Sequence, residues 1–193
     1  MWDAKDFKLA KPNRWVTSGG LGTMGFGFPA AMGAQAAFPG RLVLCIAGDG
    51  SIQMNMQEMA TAVVHKLPVK IIILNNRFHG MVRQWQDLFY EGRYASSDLE
   101  TTPDFVKLAE AYGAIGLRAS KPSEIDAVLK EAIAVNKPVI VDVPTYRYEN
   151  VYPMIPAGGC NHEMILEDPP ALRNKQSGAG QGASKDSDTI LTA

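Results

Sequence analysis

An α/β fold, a parallel sheet with helices on both faces, is what this sequence predicts, and three features predict it. Short, nearly continuous apolar runs at residues 42–47 and 69–74 have the character of strands covered on both sides, as parallel sheets require. Helix-patterned stretches alternate with such runs, which implies crossover connections. Each of these two runs ends in a compact polar motif, G-D-G at 48–50 and N-N at 75–76.

The elements follow in order. Residues 29–38, PAAMGAQAAF, form a helix with Pro29 in its first turn, where the missing N–H costs nothing, and Gly40 closes it. Residues 41–47 give the first strand. A second helix is expected from about Asn55, with Asn55 capping its N–H groups and Glu58 reaching back as in a capping box, and it ends before Pro68. Ile71, Ile72 and Ile73 mark the second strand. In 81–90, Met81, Val82, Trp85, Leu88 and Phe89 recur at helical spacing. Thr102-Pro103 opens a helix that Gly113 ends. Residues 114–118 are expected as a third strand and 138–143 as a fourth, with a helix over 122–135 between them. The whole suggests a sheet of the six-strand type. Residues 1–167 form one domain in this reading, and 168–193, rich in Gly, Ser, Gln, Asp and Lys, a disordered tail.

Composition narrows the function. A chain of 193 residues with 46% hydrophobic content can bury a sizeable core, and a formal charge of -1 points away from nucleic acid and anionic membranes as partners. No apolar run approaches the roughly 18 residues of a membrane span, and the start carries no signal-peptide core. Cys45 and Cys160 are too few for a disulfide framework and are expected as reduced thiols of a cytosolic protein. His162 and Cys160 lack partners at zinc spacing. His65, at a helix end beside Lys66, is expected as a solvated cation.

The two polar motifs carry the chemistry. A carboxylate, Asp49, and an amide, Asn76, leave neighbouring parallel strands at the same edge, one strand-helix-strand unit apart. Mg²⁺ takes one or two oxygens from side chains and leaves the rest to phosphate and water. Gly48 and Gly50 let backbone N–H groups approach a diphosphate, and the following helix aims its positive end there. The competing motif, Gly20-Leu21-Gly22-Thr23-Met24-Gly25, fits G-x-G-x-x-G with Asp49 further on as a ribose-binding acid. It lacks the strand that must run into the first glycine and leaves Asn75-Asn76 without a role, so the dinucleotide reading is the runner-up.

Taken together, SGGLGTMGFG at 18–27, G-D-G-S at 48–51, Leu74-Asn75-Asn76 and GMVRQWQ at 80–86 resemble thiamine-diphosphate enzymes, and within them the C-terminal domain of the acetolactate (acetohydroxyacid) synthase catalytic subunit. The likeness runs from about Met1 to Leu166 and includes Val151-Tyr152-Pro153-Met154. It implies a thiamine-diphosphate-binding fold with thiamine diphosphate and Mg²⁺ as cofactors. Asp49 and Asn76 would hold the metal by their side chains and Phe78 by its carbonyl. Gly48, Gly50, Ser51, Gly80 and Met81 would border the cofactor, Gly50 and Ser51 offering N–H groups to the diphosphate. Gly22 would accept from the 4′-amino group of the aminopyrimidine, and Met24 would wedge between the rings, which makes these two the catalytic positions. Met81 and Trp85 would line the substrate channel. The resemblance assigns His79 no role.

The same resemblance implies pyruvate decarboxylation and ligation of the two-carbon unit to a second 2-keto acid, pyruvate or 2-ketobutyrate, for branched-chain amino-acid synthesis in a cytoplasmic, oligomeric enzyme. The glutamate that protonates the pyrimidine would come from an N-terminal domain of a partner subunit, FAD would sit mostly in a middle domain, and a regulatory subunit joins the implied partners. Neither region is among these residues, so the chain alone is expected to bind the cofactor weakly and make little acetolactate. The alternatives are another thiamine-diphosphate decarboxylase, oxidase or ligase of 2-keto acids, and a non-catalytic nucleotide- or subunit-binding fragment.

Overall fold

A computed structural model describes residues 1–170 and Leu172. Among these, seven helices and four strands run in the order α1 (Trp2–Asp6), α2 (Gly27–Ala37), β1 (Leu44–Gly48), α3 (Asp49–Gln53), α4 (Met59–Val64), β2 (Lys70–Asn75), α5 (Gly80–Phe89), α6 (Phe105–Ala111), β3 (Ile115–Arg118), α7 (Pro122–Ala134) and β4 (Val139–Pro144). The strands pair in the order β1-β2-β4-β3 and every pairing is parallel. The described residues therefore form four strands, not the six-strand type of sheet, because no other run has a strand's apolar pattern.

Alternation along the strands sorts the core into two layers. Cys45, Ile71, Ile73 and Ile140 face α2, α4 and α6 through Phe28, Met32, Met59, Ala62, Phe105 and Ala109. Val139, Val141, Val143 and Ile72 face α7 through Ala132, Ile125 and Val128. Helices thus cover both faces, though unequally. α7 lies over β3 and β4, so the edge strand β1 is covered on one side only and Leu44 is exposed.

The expected helix from Asn55 to Pro68 is divided. α3 begins at Asp49 itself, a 3-10 turn spans Met56–Glu58, and α4 is only six residues long. The capping box at Asn55 and Glu58 does not form: Asn55 donates to the Gly25 carbonyl at 2.7 Å, and Glu58 accepts from the Thr61 hydroxyl at 2.8 Å. A tertiary partner outcompetes the local cap. A capping box does form at α7, where Glu124 accepts from the backbone of Ser120 and Lys121.

Asp168 accepts from Asn150 at 2.7 Å and Tyr152 at 2.6 Å, so the chain is anchored up to that residue. Most of the expected tail, residue 171 and 173–193, lies outside the described residues.

β3 and α6 meet at backbone distance. A Cβ on Gly116 would stand 2.5 Å from the Val106 carbonyl oxygen and 2.7 Å from its Cα. Backbone atoms cannot swing aside, so Gly116→Ala is expected to lower stability by about 1–3 kcal/mol, seen as a lower urea midpoint at unchanged slope.

Candidate functional site

Register builds the site. Gly48 pairs with Leu74 across β1 and β2, so Asp49 and the pair Asn75-Asn76 leave the sheet side by side at its carboxyl edge, where open parallel sheets bind ligands. Asp49 is only 1% exposed, and its Oδ2 is buried with no hydrogen-bond partner. Loss of water pushes its carboxyl from 3.8 up to about 6, the backbone N–H groups of Gly50 and Arg77 drawing it partly back and Asp142 raising it further. The influence of the Arg77 N–H places this carboxylate against the loop that carries Asn76.

Asn76 is buried, and its Oδ1 accepts from the Phe78 N–H at 3.1 Å. An amide oxygen has two lone pairs, so one is left for another partner. The loop is clamped by residues 97–99: His79 N–H donates to Ser97 at 2.8 Å and Leu99 N–H to Arg77 at 2.9 Å, around an antiparallel Phe78–Asp98 bridge. In a bridge of that kind the central residue's own N–H and C=O point away from its partner strand. The Phe78 N–H finds Asn76, and its carbonyl therefore opens to the same side. A carboxylate, an amide and a backbone carbonyl make an all-oxygen donor set suited to a hard divalent cation.

The glycine-rich segment is stitched onto the same turn. Gly25 N–H donates to the Ser51 hydroxyl at 3.1 Å while the Gly25 carbonyl accepts from Asn55. Gly25 has φ +87, and a Cβ there would lie 2.6 Å from the Met54 Cβ. Only glycine fits. Gly22 closes a turn through its bond to the Ser18 carbonyl at 2.8 Å and, like Met24, is exposed rather than packed in the core. No strand runs into Gly20, and the next helix waits until Gly27, so the structural context of a dinucleotide motif is missing.

Gly50 meets a neighbour that the sequence did not reveal. A Cβ on it would fall 2.6 Å from His79 Nδ1, an atom that is itself buried without a partner. A side chain at position 50 would have to displace the imidazole.

Gly80 starts α5, and Met81 and Trp85 follow on one face, both partly exposed; the Trp85 ring meets Phe89 edge-on at 5.4 Å. The buried side of α5 carries Arg83 and Gln84. Sequence reasoning missed these two. The spacing of Arg83 to Asp87, one helical turn, was the available signal. The Asn75 amide donates to Asp142 at 3.0 Å, which also accepts from Arg118 at 3.0 Å.

Residues 1–143 match the family model described as "Thiamine pyrophosphate enzyme, C-terminal TPP binding domain". The chain belongs to this family. It is 50% identical over 170 residues to the acetolactate synthase large subunit of Haemophilus influenzae, covering 88% of this chain and 30% of the relative. It is 51% identical over 169 residues to the acetolactate synthase isozyme 3 large subunit of Escherichia coli K12, covering 86% and 29%. The chain thus spans less than a third of these curated relatives. Among solved structures it is similar to the Rhodococcus jostii RHA1 thiamine diphosphate-dependent 4-hydroxybenzoylformate decarboxylase, with a TM-score of 0.60 and 37% identity over 64% of this chain and 23% of that one. The TPP-binding domain is an α/β unit with a parallel sheet, as the sequence implied.

Asp49 sets a pH dependence in the metal-free chain. Its folded carboxyl takes up a proton more readily than the unfolded one, so protonation favours folding. That contribution is whole below about pH 4 and is lost as pH rises through about 6. The thermal midpoint is expected to fall across this window, and to fall less in Asp49→Asn.

Proposed function

We propose that this chain is the thiamine-diphosphate- and Mg²⁺-binding part of an acetolactate synthase. The observation that carries the reading is the buried, unpartnered Asp49 oxygen beside Asn76 at adjacent parallel strand tips. Asp49 and Asn76 hold the cation through side-chain oxygens and Phe78 through its carbonyl. Gly50 and Ser51 turn their N–H groups to the diphosphate at the start of α3, with Gly48, Gly80 and Met81 bordering it. The Gly22 carbonyl and the exposed Met24 side chain would orient the aminopyrimidine and thiazolium rings of the cofactor.

Thiamine diphosphate, when bound, supplies the electron sink for decarboxylating a 2-keto acid. What the protein adds is position: a metal grip on one end of the cofactor and a ring wedge on the other. Met81 and Trp85 face the approach of pyruvate and of the second 2-keto acid, pyruvate or 2-ketobutyrate. The remaining parts of the enzyme, among them the N-terminal domain of a partner subunit, the FAD region and a regulatory subunit, complete an oligomeric cytoplasmic enzyme. Identity near 50% to acetolactate synthases, against 37% to the benzoylformate-type decarboxylase, favours this substrate pair over other thiamine-diphosphate chemistry.

Calorimetry tests it. Thiamine diphosphate titrated into the chain is expected to bind with Mg²⁺ present and to fail after metal removal with a chelator. Asp49→Ala and Asn76→Ala should each weaken binding at least about tenfold, since a charge-assisted contact contributes roughly 1.5–3 kcal/mol. Binding that ignores the metal would overturn the assignment.

A further inference from the structure

Arg83 is wholly excluded from solvent. Burying a guanidinium costs several kcal/mol unless partners surround it, and an apolar residue of similar volume often serves stability better. Here the partners come from three separate stretches of chain. Nη1 bonds Asp87 at 2.6 Å, one turn along α5. Nη2 bonds the Asn150 side-chain oxygen at 2.7 Å and the Glu149 carbonyl at 3.0 Å, in the segment after β4. The guanidinium carbon lies 5.6 Å from the centre of the Phe78 ring and 5.8 Å from that of Tyr148.

Phe78 is the residue whose carbonyl the bridge pattern turns to the side of its own N–H, which donates to Asn76. Its ring is held from several sides, by Arg83, by Arg147 at 4.6 Å, by Tyr94 at 6.2 Å and by Tyr148 at 5.9 Å. Tyr94 in turn bonds Asp87, the ion-pair partner of Arg83. The Arg83 backbone N–H donates to the His79 carbonyl at 2.9 Å, in the first turn of α5 directly after the loop. A planar fork with five donors holds direction in a way an aliphatic chain cannot.

We propose that Arg83 is a positioning residue for the cation site: it locks the Phe78 ring between α5 and the segment at 148–150, and thereby fixes the direction of the Phe78 carbonyl. This rests on the reading that Asp49, Asn76 and Phe78 hold a divalent cation. Arg83 touches neither metal nor cofactor. It acts through Phe78, as outer-shell partners act through the ligands they orient.

The probe is Mn²⁺, which accepts the same hard oxygen ligands as Mg²⁺, titrated into the full chain without cofactor and followed by electron paramagnetic resonance. Arg83→Met keeps the bulk and removes the fork; Arg83→Lys keeps the charge and is the second variant should the first fail to fold. Gln84→Ala is the control, because Gln84 ties the same helix to Val151 at 2.9 Å and 2.7 Å and to Met154 without touching Phe78. Arg83→Met is expected to weaken Mn²⁺ binding by about tenfold or more, Arg83→Lys by less, and Gln84→Ala by under about twofold even where its thermal midpoint drops. Folded Arg83 variants that bind Mn²⁺ as the unaltered chain does would overturn the role. A Gln84→Ala loss as large as that of Arg83→Met would reduce it to general stability and overturn it too. An unaltered chain that binds no Mn²⁺ would overturn the cation site itself, a separate failure that takes this role with it.

Discussion

Parallel pairing of β1 with β2 in one register is the constraint on which the site depends. With Gly48 opposite Leu74, an acid and an amide 27 positions apart in sequence emerge side by side. A slip of one residue would turn every strand side chain to the other face, and the isoleucines of β2 forbid it, because Ile71 and Ile73 fill one core layer and Ile72 the other. The same burial that fixes the register also strips water from Asp49 and raises its proton affinity. Core packing and the raised proton affinity at the strand tip are therefore one effect seen at two places.

Around those tips the chain is tied from two directions. Ser51 and Asn55 grip Gly25 and bring the glycine-rich segment over the start of α3. Residues 97–99 pair with the loop at 77–79 and set Phe78 facing inward. α5 continues that loop, and its inner face is sewn to 149–154 through Arg83 and Gln84. Loops that carry ligand groups are usually the mobile parts of a fold. Here they are cross-linked by polar bonds, which suits a site whose contribution is position.

What was legible in the sequence was what local pattern encodes. The four strands lie within three residues of their expected ranges, since each is a compact apolar run between breakers, and Pro122 and Gly113 punctuate their helices as propensity dictates. The G-D-G and N-N motifs sit at strand ends, where the topology had to bring them together. What failed was what depends on distant partners. Asn55 looks like a cap until the Gly25 carbonyl claims it, and Glu58 then settles on Thr61. Arg83 drew no reading of its own from the sequence, because nothing near it in the chain foretells that Asn150 and Tyr148 will close over it. The six-strand type of sheet is not met among the described residues for a different reason: only four runs there carry a strand's apolar pattern.

The two ends of the sheet solve their polar demands differently, and the difference itself points to the ligand side. Helices of a parallel α/β unit end near the amino edge of the strands, presenting carbonyls there. Lys70 answers them for α7, its ammonium reaching the Val135 and Lys137 carbonyls, and Gln35 donates to the carbonyls of Phe38, Pro39 and Arg41 after α2. The amino edge is thus satisfied in part from within, Gln35 Oε1 staying buried without a partner. More such atoms gather at the carboxyl edge: among the described residues, Asp49 Oδ2, Asn75 Oδ1, His79 Nδ1, Thr145 Oγ1 and Arg147 Nε are buried without partners at or just beyond the ends of β1, β2 and β4, and Arg83 Nε is another within α5. Unsatisfied buried polar atoms are costly and native folds keep few of them. Unmet hydrogen-bonding capacity is thus concentrated at the carboxyl edge, the edge on which the proposed cofactor site lies.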